Sequence, residues 1–296
     1  MQIYKYIRFI LILLILLNTK PVKSQFVEIG IMGGASNYSG DLSNESIAFK
    51  ETHIAVSMFG RYNFSNKWAV KGFAGYGKIS GDDKNYAEAP SLSNPDGNFQ
   101  YWRNLNFYSN IFEFSVQAEY NLLPNDLQSN SSRPFVPYIF AGIGIVNFNP
   151  KTTLNGTEQE LQPLGTEGQG TTIYNNLKKY DLTVYSIPIG AGFRQKIGES
   201  FFLGIEAGVR FTGSNYIDDV GGKYADARVV GASYGQKAQD LSDRSIERSA
   251  DVPPITHFNE FDPRSDRKIF TKDLYFMGGI TLSYIFRGKG MDCPNF

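Results

Sequence analysis

Eight segments of the chain alternate apolar residues with small or polar ones at a period of two. That pattern constrains the fold more than any other feature of the sequence. A period of two sends successive side chains to opposite faces of a strand. In residues 201–212, Phe201, Leu203, Ile205, Ala207, Val209 and Phe211 share one face, while Phe202, Gly204, Glu206, Gly208 and Arg210 share the other. The remaining segments are 26–35, 53–64, 67–79, 109–122, 135–148, 182–197 and 273–287. Each has one apolar face and one face of glycine, small polar residues and isolated charges. A water-facing sandwich also alternates, but its polar face rarely carries so many glycines. A glycine-rich face with scattered charges suits a narrow barrel interior, where side chains interdigitate. The apolar face then meets lipid.

The connections point the same way. Residues 36–52, 80–108, 149–181 and 213–272 form long loops, the last of 60 residues. Between them lie two tight turns, Ser65-Asn66 and residues 198–200, and a medium connection over 123–134 that carries Pro124-Asn125-Asp126 as turn chemistry. Short turns on one rim and long loops on the other are the asymmetry of outer-membrane barrels. The expected fold is therefore all-β: an eight-stranded antiparallel transmembrane barrel over 25–287. An even strand number returns both ends to the periplasmic rim. An interior of eight strands holds only its own side chains, which argues against a porin.

The amino terminus reads as an export signal. Lys5 and Arg8 precede an apolar run from Phe9 to Leu17, and Val22-Lys23-Ser24 supplies the cleavage site. The run is shorter than the ~20 residues a membrane helix needs. Cleavage after Ser24 removes four of the 29 basic residues and none of the 29 acidic ones, leaving a formal charge of −4. That is no nucleic-acid footprint. One cysteine, Cys293, cannot form an internal disulfide. An exported chain with no disulfide, no membrane helix, 23 Phe, 18 Tyr and 30 Gly is expected to be a barrel integral to the outer membrane of a Gram-negative bacterium.

The charges assigned to the lumen are Glu28, Glu113, Glu119 and Glu206 against Arg61, Lys67, Lys71, Arg194 and Arg210. Buried charges must pair, because an isolated one is prohibitive. Glu28 near the start of the first strand and Arg61 near the end of the second lie at similar height, so these two are expected to pair. The chemistry of catalysis is missing. There are two histidines, His53 and His257. On its own strand His53 has no serine on its face before Ser57, and no zinc-protease helix, Cys–His metal spacing or phosphate loop occurs. The chain reads as a non-enzyme with no cofactor and no small-molecule substrate. Asp218, Asp219 and Asp226 are weak calcium candidates. They lack the regular spacing of an EF-hand, and turn and cap roles fit them better.

Two short stretches repeat: Ser-Asn-Tyr-Ser-Gly-Asp-Leu at 36–42 and Ser-Asn-Tyr-Ile-Asp-Asp-Val at 214–220. They follow the first and seventh strands, which flank the eighth in a closed barrel. One exit device used twice explains the likeness. Tyr38 and Tyr216 are expected in the aromatic girdle. Asn37 and Asn215 suit the turn, and Asp41 and Asp219 suit backbone N–H acceptance within it.

Several of these stretches also carry a family resemblance. Residues 34–42, 103–107, 135–150, 160–170, 187–194, 204–212 and 214–226 resemble the PorG-like outer-membrane proteins of the Bacteroidota type IX secretion system. The resemblance implies a small non-enzymatic barrel that works with a periplasmic ring lipoprotein and its partner and with the large outer-membrane translocon. It brings no catalytic residue. The surfaces expected to reach a periplasmic ring are residues 122–134 and the tail, 288–296, where Cys293 is read as an unpaired bystander. The competing reading is a structural or adhesive surface barrel whose long loops bind an extracellular target.

Overall fold

The computed structural model describes residues 26–43, 45, 48–92, 94–125, 135–249, 256–265 and 272–286. The signal read at 1–24, the tail at 288–296 with Cys293, and residues 126–134 of the medium turn lie outside the described residues.

Ten strands follow in order: β1 (Phe26–Ser39), β2 (His53–Asn63), β3 (Trp68–Asp82), β4 (Asn106–Asn121), β5 (Phe135–Asn147), β6 (Lys151–Leu154), β7 (Thr157–Glu160), β8 (Thr183–Ile197), β9 (Phe201–Thr212) and β10 (Leu274–Phe286). Among the described residues three short α-helices lie in the loops: α1 (Phe99–Arg103), α2 (Ala227–Tyr234) and α3 (Gln236–Ser242). Eight strands close into a ring in the order β1-β2-β3-β4-β5-β8-β9-β10, with β10 returning to β1. Every neighbouring pair in the ring is antiparallel. Closure leaves the ring without an open edge, the condition for strands to sit in lipid. The other two strands, β6 and β7, form a hairpin that extends β4 above the ring at the long-loop end.

The period-two pattern becomes an inside and an outside. Ile54 is 81% and Met58 64% exposed, and Ile29, Ile31, Phe114, Ile143 and Ile280 follow suit around the wall. Burying such a side chain is worth about 1.5–3 kcal/mol, so a wall of them belongs in hydrocarbon. Aromatic pairs edge this belt. At the short-turn end these are Trp68 with Tyr120, Phe135 with Phe193, and Phe201 with Tyr284; at the other end, Tyr76 lies with Phe112. Inside, glycine makes room for rings. A Cβ on Gly30 would lie 2.4 Å from the Phe59 ring, and one on Gly190 2.5 Å from the Phe140 ring.

The structure differs from the sequence expectation in three places. First, β1, β3 and β4 run past the membrane wall into the loop end. Second, the 149–181 loop contains the β6–β7 hairpin, turned by Asn155 and Gly156 at φ 50° and 76°, the left-handed pair of a tight hairpin turn. Third, Lys67 sits exposed in the β2–β3 turn. Its ammonium lies 5.9 Å from the centre of the outward-facing Tyr120 ring. The alternating face does not extend into a turn, and a lysine there reaches water.

Candidate functional site

Among the described residues, the buried charges on the inward face of the wall are four acids and four bases: Glu28, Glu113, Glu119 and Glu206 with Arg61, Lys71, Arg194 and Arg210. With Lys67 outside, these charges balance. Glu28 and Arg61 are direct register partners on β1 and β2, and Arg61 Nη1 donates to Glu28 Oε2 at 2.6 Å. Glu119 is the hub. It meets Arg61 Nε at 2.6 Å, Lys71 Nζ at 3.0 Å and Arg194 Nη1 at 3.3 Å. Lys71 also reaches Glu206 at 2.6 Å, and the Tyr138 hydroxyl donates to the same carboxylate. Nearer the loop end, Arg210 Nε pairs with Glu113 at 3.1 Å, where the Tyr275 hydroxyl also donates. Rings cover the cations: Lys71 lies 4.6 Å from the centre of Phe140 and Arg61 5.0 Å from that of Phe59. Wide charges and rings interdigitate across the lumen, and the network fills it as a plug.

Above the plug the four long loops form a cap with its own interior. Two fully buried arginines staple it. Arg103, at the end of α1, forks onto both oxygens of Asp83 at 2.6 and 2.9 Å and donates to the carbonyls of Asp41 and Arg264. Arg264 Nη1 donates to Thr166 Oγ1 and to the Asp219 carbonyl, each at 2.9 Å, and pairs with Glu167 at 3.4 Å. Together they join all four loops. Sequence reasoning passed over both, because a lone arginine in a loop carries no pattern.

The two repeated stretches meet in this cap. The Tyr38 hydroxyl donates to Asp218, and the Tyr38 ring stands edge-on to Phe107 at 4.9 Å. Tyr38 is fully buried and Tyr216 stacks on Tyr180 at 5.0 Å, so neither belongs to the aromatic girdle. The ends of β1 and the exit of β9 rise above the lipid, and these rings pack against the cap instead. Asn37 clamps its loop through Ala48 and Thr52, and Asn215 clamps its own through the Gly221 carbonyl. Within the second turn it is Asp218, not Asp219, that accepts the backbone N–H of Val220. Asp219 accepts instead from the Thr166 and Tyr180 hydroxyls, and Asp41 from Ser265.

The three calcium candidates are not brought together. Asp226 caps α2 and pairs with Arg228, and Asp219 faces Arg264. Asp218 lies instead with Asp41 and Asp273, their ligand oxygens all within 4.8 Å of one another. Burial, then Asp273 and Asp41, push the Asp218 carboxyl well above the usual carboxylate range. Asp219 is raised too, by burial, against the pull of Arg264.

The structure supplies a serine that the strand pattern around His53 lacks. Ser80 of β3 lies 2.6 Å from His53 Nε2. Its hydroxyl also donates to Glu51. The acid therefore holds the serine, whereas a catalytic triad needs the acid on the imidazole. His257 stacks flat on Trp102 at 4.2 Å.

A family model described as "Domain of unknown function (DUF6089)" matches residues 7–232. A search of curated proteins returned no match. Among solved structures, the chain is similar to Ail, the attachment invasion locus protein of Yersinia pestis, at 10% identity and a TM-score of 0.37, covering 88% of this chain and 99% of that one. Neisserial surface protein A matches at 8% identity and a TM-score of 0.38, over 88% and 96% of the two chains. The N-terminal β-barrel domain of Pseudomonas aeruginosa OprF matches at 12% and 0.33, over 88% and 97%.

Proposed function

This chain belongs to the DUF6089 family, and we propose that it is a non-enzymatic outer-membrane component of type IX protein secretion. It anchors or organises the apparatus and carries no cargo through its own lumen. The observation that supports this is the plug: four buried acids and four buried bases joined in networks, with a stapled cap above them. A barrel so filled serves as an anchor. The resemblance to the PorG-like proteins supplies the system. Several of its stretches supply cap-building residues, Arg103, Leu105 and Phe107 in one, Thr166 and Glu167 in another. In this reading the long loops face outside, and the short turns and both termini face the periplasm. There they meet a ring lipoprotein, its partner and the large translocon.

Deleting the gene tests the proposal: cargo with type IX sorting domains should stay in the cell. Altering residues 122–134 or the tail should abolish co-purification of ring components. A second reading is favoured by Ile173, Leu177 and Phe261, which the cap exposes outside the lipid belt. It makes the protein a surface barrel that binds an extracellular target. Normal secretion together with lost surface attachment would select it.

A further inference from the structure

The cap contains a cavity of about 400 Å³ between the 149–181 and 213–272 loops. That is at the small end of the ~300–1,000 Å³ range of ligand pockets. Three observations separate it from ordinary loop packing. Its lip is apolar in a part of the molecule surrounded by water: Ile173 is 64%, Phe261 59% and Leu177 44% exposed. Phe261 holds a left-handed backbone at φ 70°, a costly choice for a bulky residue. It is pinned there by its N–H to the Tyr224 carbonyl at 2.9 Å. The walls are also braced in advance: the Tyr174 hydroxyl accepts from the Asp226 N–H and donates to Glu260, linking both loops.

The charges at the cavity decide what it suits. Glu167 lies in its lining and shares its cation, Arg264, with Asp219. It accepts from the N–H groups of Gly221 and Gly222 at 3.1 and 3.2 Å and pairs with Arg264. Lys223 also lines the cavity. It makes no ion pair among the described residues and is exposed. Of the nearby acids, Asp226 pairs with Arg228, Glu260 accepts from the Tyr174 hydroxyl and Asp262 accepts from the Asn259 N–H. An apolar, ring-lined cavity whose lysine makes no ion pair among the described residues complements an apolar group bearing a single negative charge.

We infer that this cavity binds an apolar or aromatic carboxylate, its hydrocarbon among Ile173, Leu177 and Phe261 and its carboxylate at Lys223. The inference rests on cap geometry alone and stands or falls apart from the secretion reading.

The test is calorimetric titration of the full barrel in nanodiscs, with empty nanodiscs as the blank. The probes are N-acetyl-phenylalanine and its neutral amide. Saturable binding of the acid is expected, weakened at least tenfold in the amide and in Lys223→Glu. Phe261→Gly relieves the backbone strain, leaves the fold in place and should weaken the acid several-fold. A hexapeptide ending in phenylalanine separates the two sources of such a group. Tighter binding than the single residue assigns the carboxyl terminus of a chain, and equal or weaker binding assigns a small free acid. No saturable heat above the blank, or equal binding of acid and amide, would overturn the inference. So would unchanged binding in Lys223→Glu.

Discussion

Burial decides which charged residues matter. Arg61 is 2% exposed and joins Glu28 and Glu119. Replacing it by methionine keeps the volume, strands the Glu28 carboxylate without its ion pair and takes one of three cations from Glu119. The expected loss is about 3–5 kcal/mol, read as a lowered urea midpoint in the gel-shift assay for folded barrel. Lys151 and Glu158 are the contrast, an ion pair on the water-exposed hairpin; Glu158→Gln should leave that midpoint unmoved, because such pairs are screened. Asp218 adds a pH dependence. Burial and its two acidic neighbours raise its carboxyl in the folded cap, so the fold binds that proton more tightly than the unfolded chain does. Stability of this kind is complete below the ordinary Asp value of about 3.9 and is lost as pH rises through the folded-state value. Resistance of the cap to protease, normalised to an unstructured substrate at each pH, should fall as pH rises from about 4. Asp218→Asn should flatten the slope.

At the scale of elements, the strands were legible because lipid outside and packed lumen inside enforce a strict period of two. The eight segments read from that period match the ring strands to within a few residues, except where β1, β3 and β4 continue upward. That continuation is invisible to an inside–outside rule, since above the membrane both faces are covered by cap or water. The β6–β7 hairpin was missed for another reason. Its strands, Lys151–Leu154 and Thr157–Glu160, are polar and short, so only Asn155-Gly156 signals it. Gly156 sits at φ 76°, and Gly156→Val should cost the hairpin about 1–2 kcal/mol. Amide exchange should quicken over 151–160 and stay unchanged in the ring strands. The lumen charges were legible from the same alternation that gave the strands. The cap was not: Arg103 and Arg264 act through backbone carbonyls and through acids far away in sequence, and no local spacing encodes such partners.

For the molecule as a whole, the two rims are unlike. At one, β2 joins β3 and β8 joins β9 through a few residues each; at the other, four loops build a cap stapled by buried arginines. In outer-membrane barrels the short turns face the periplasm and the longer loops face outside, so the cap is expected outside the cell and the short turns in the periplasm. Cysteine labelling settles the sense. In a Cys293→Ser background, Lys178→Cys places a thiol on an exposed part of the cap and Asn66→Cys places one in the exposed β2–β3 turn. A membrane-impermeant maleimide on intact cells should modify position 178 and spare position 66, and lysis should expose both. Labelling of 66 alone would invert the molecule. It would also turn the stapled cap, rather than the short turns, toward the periplasm.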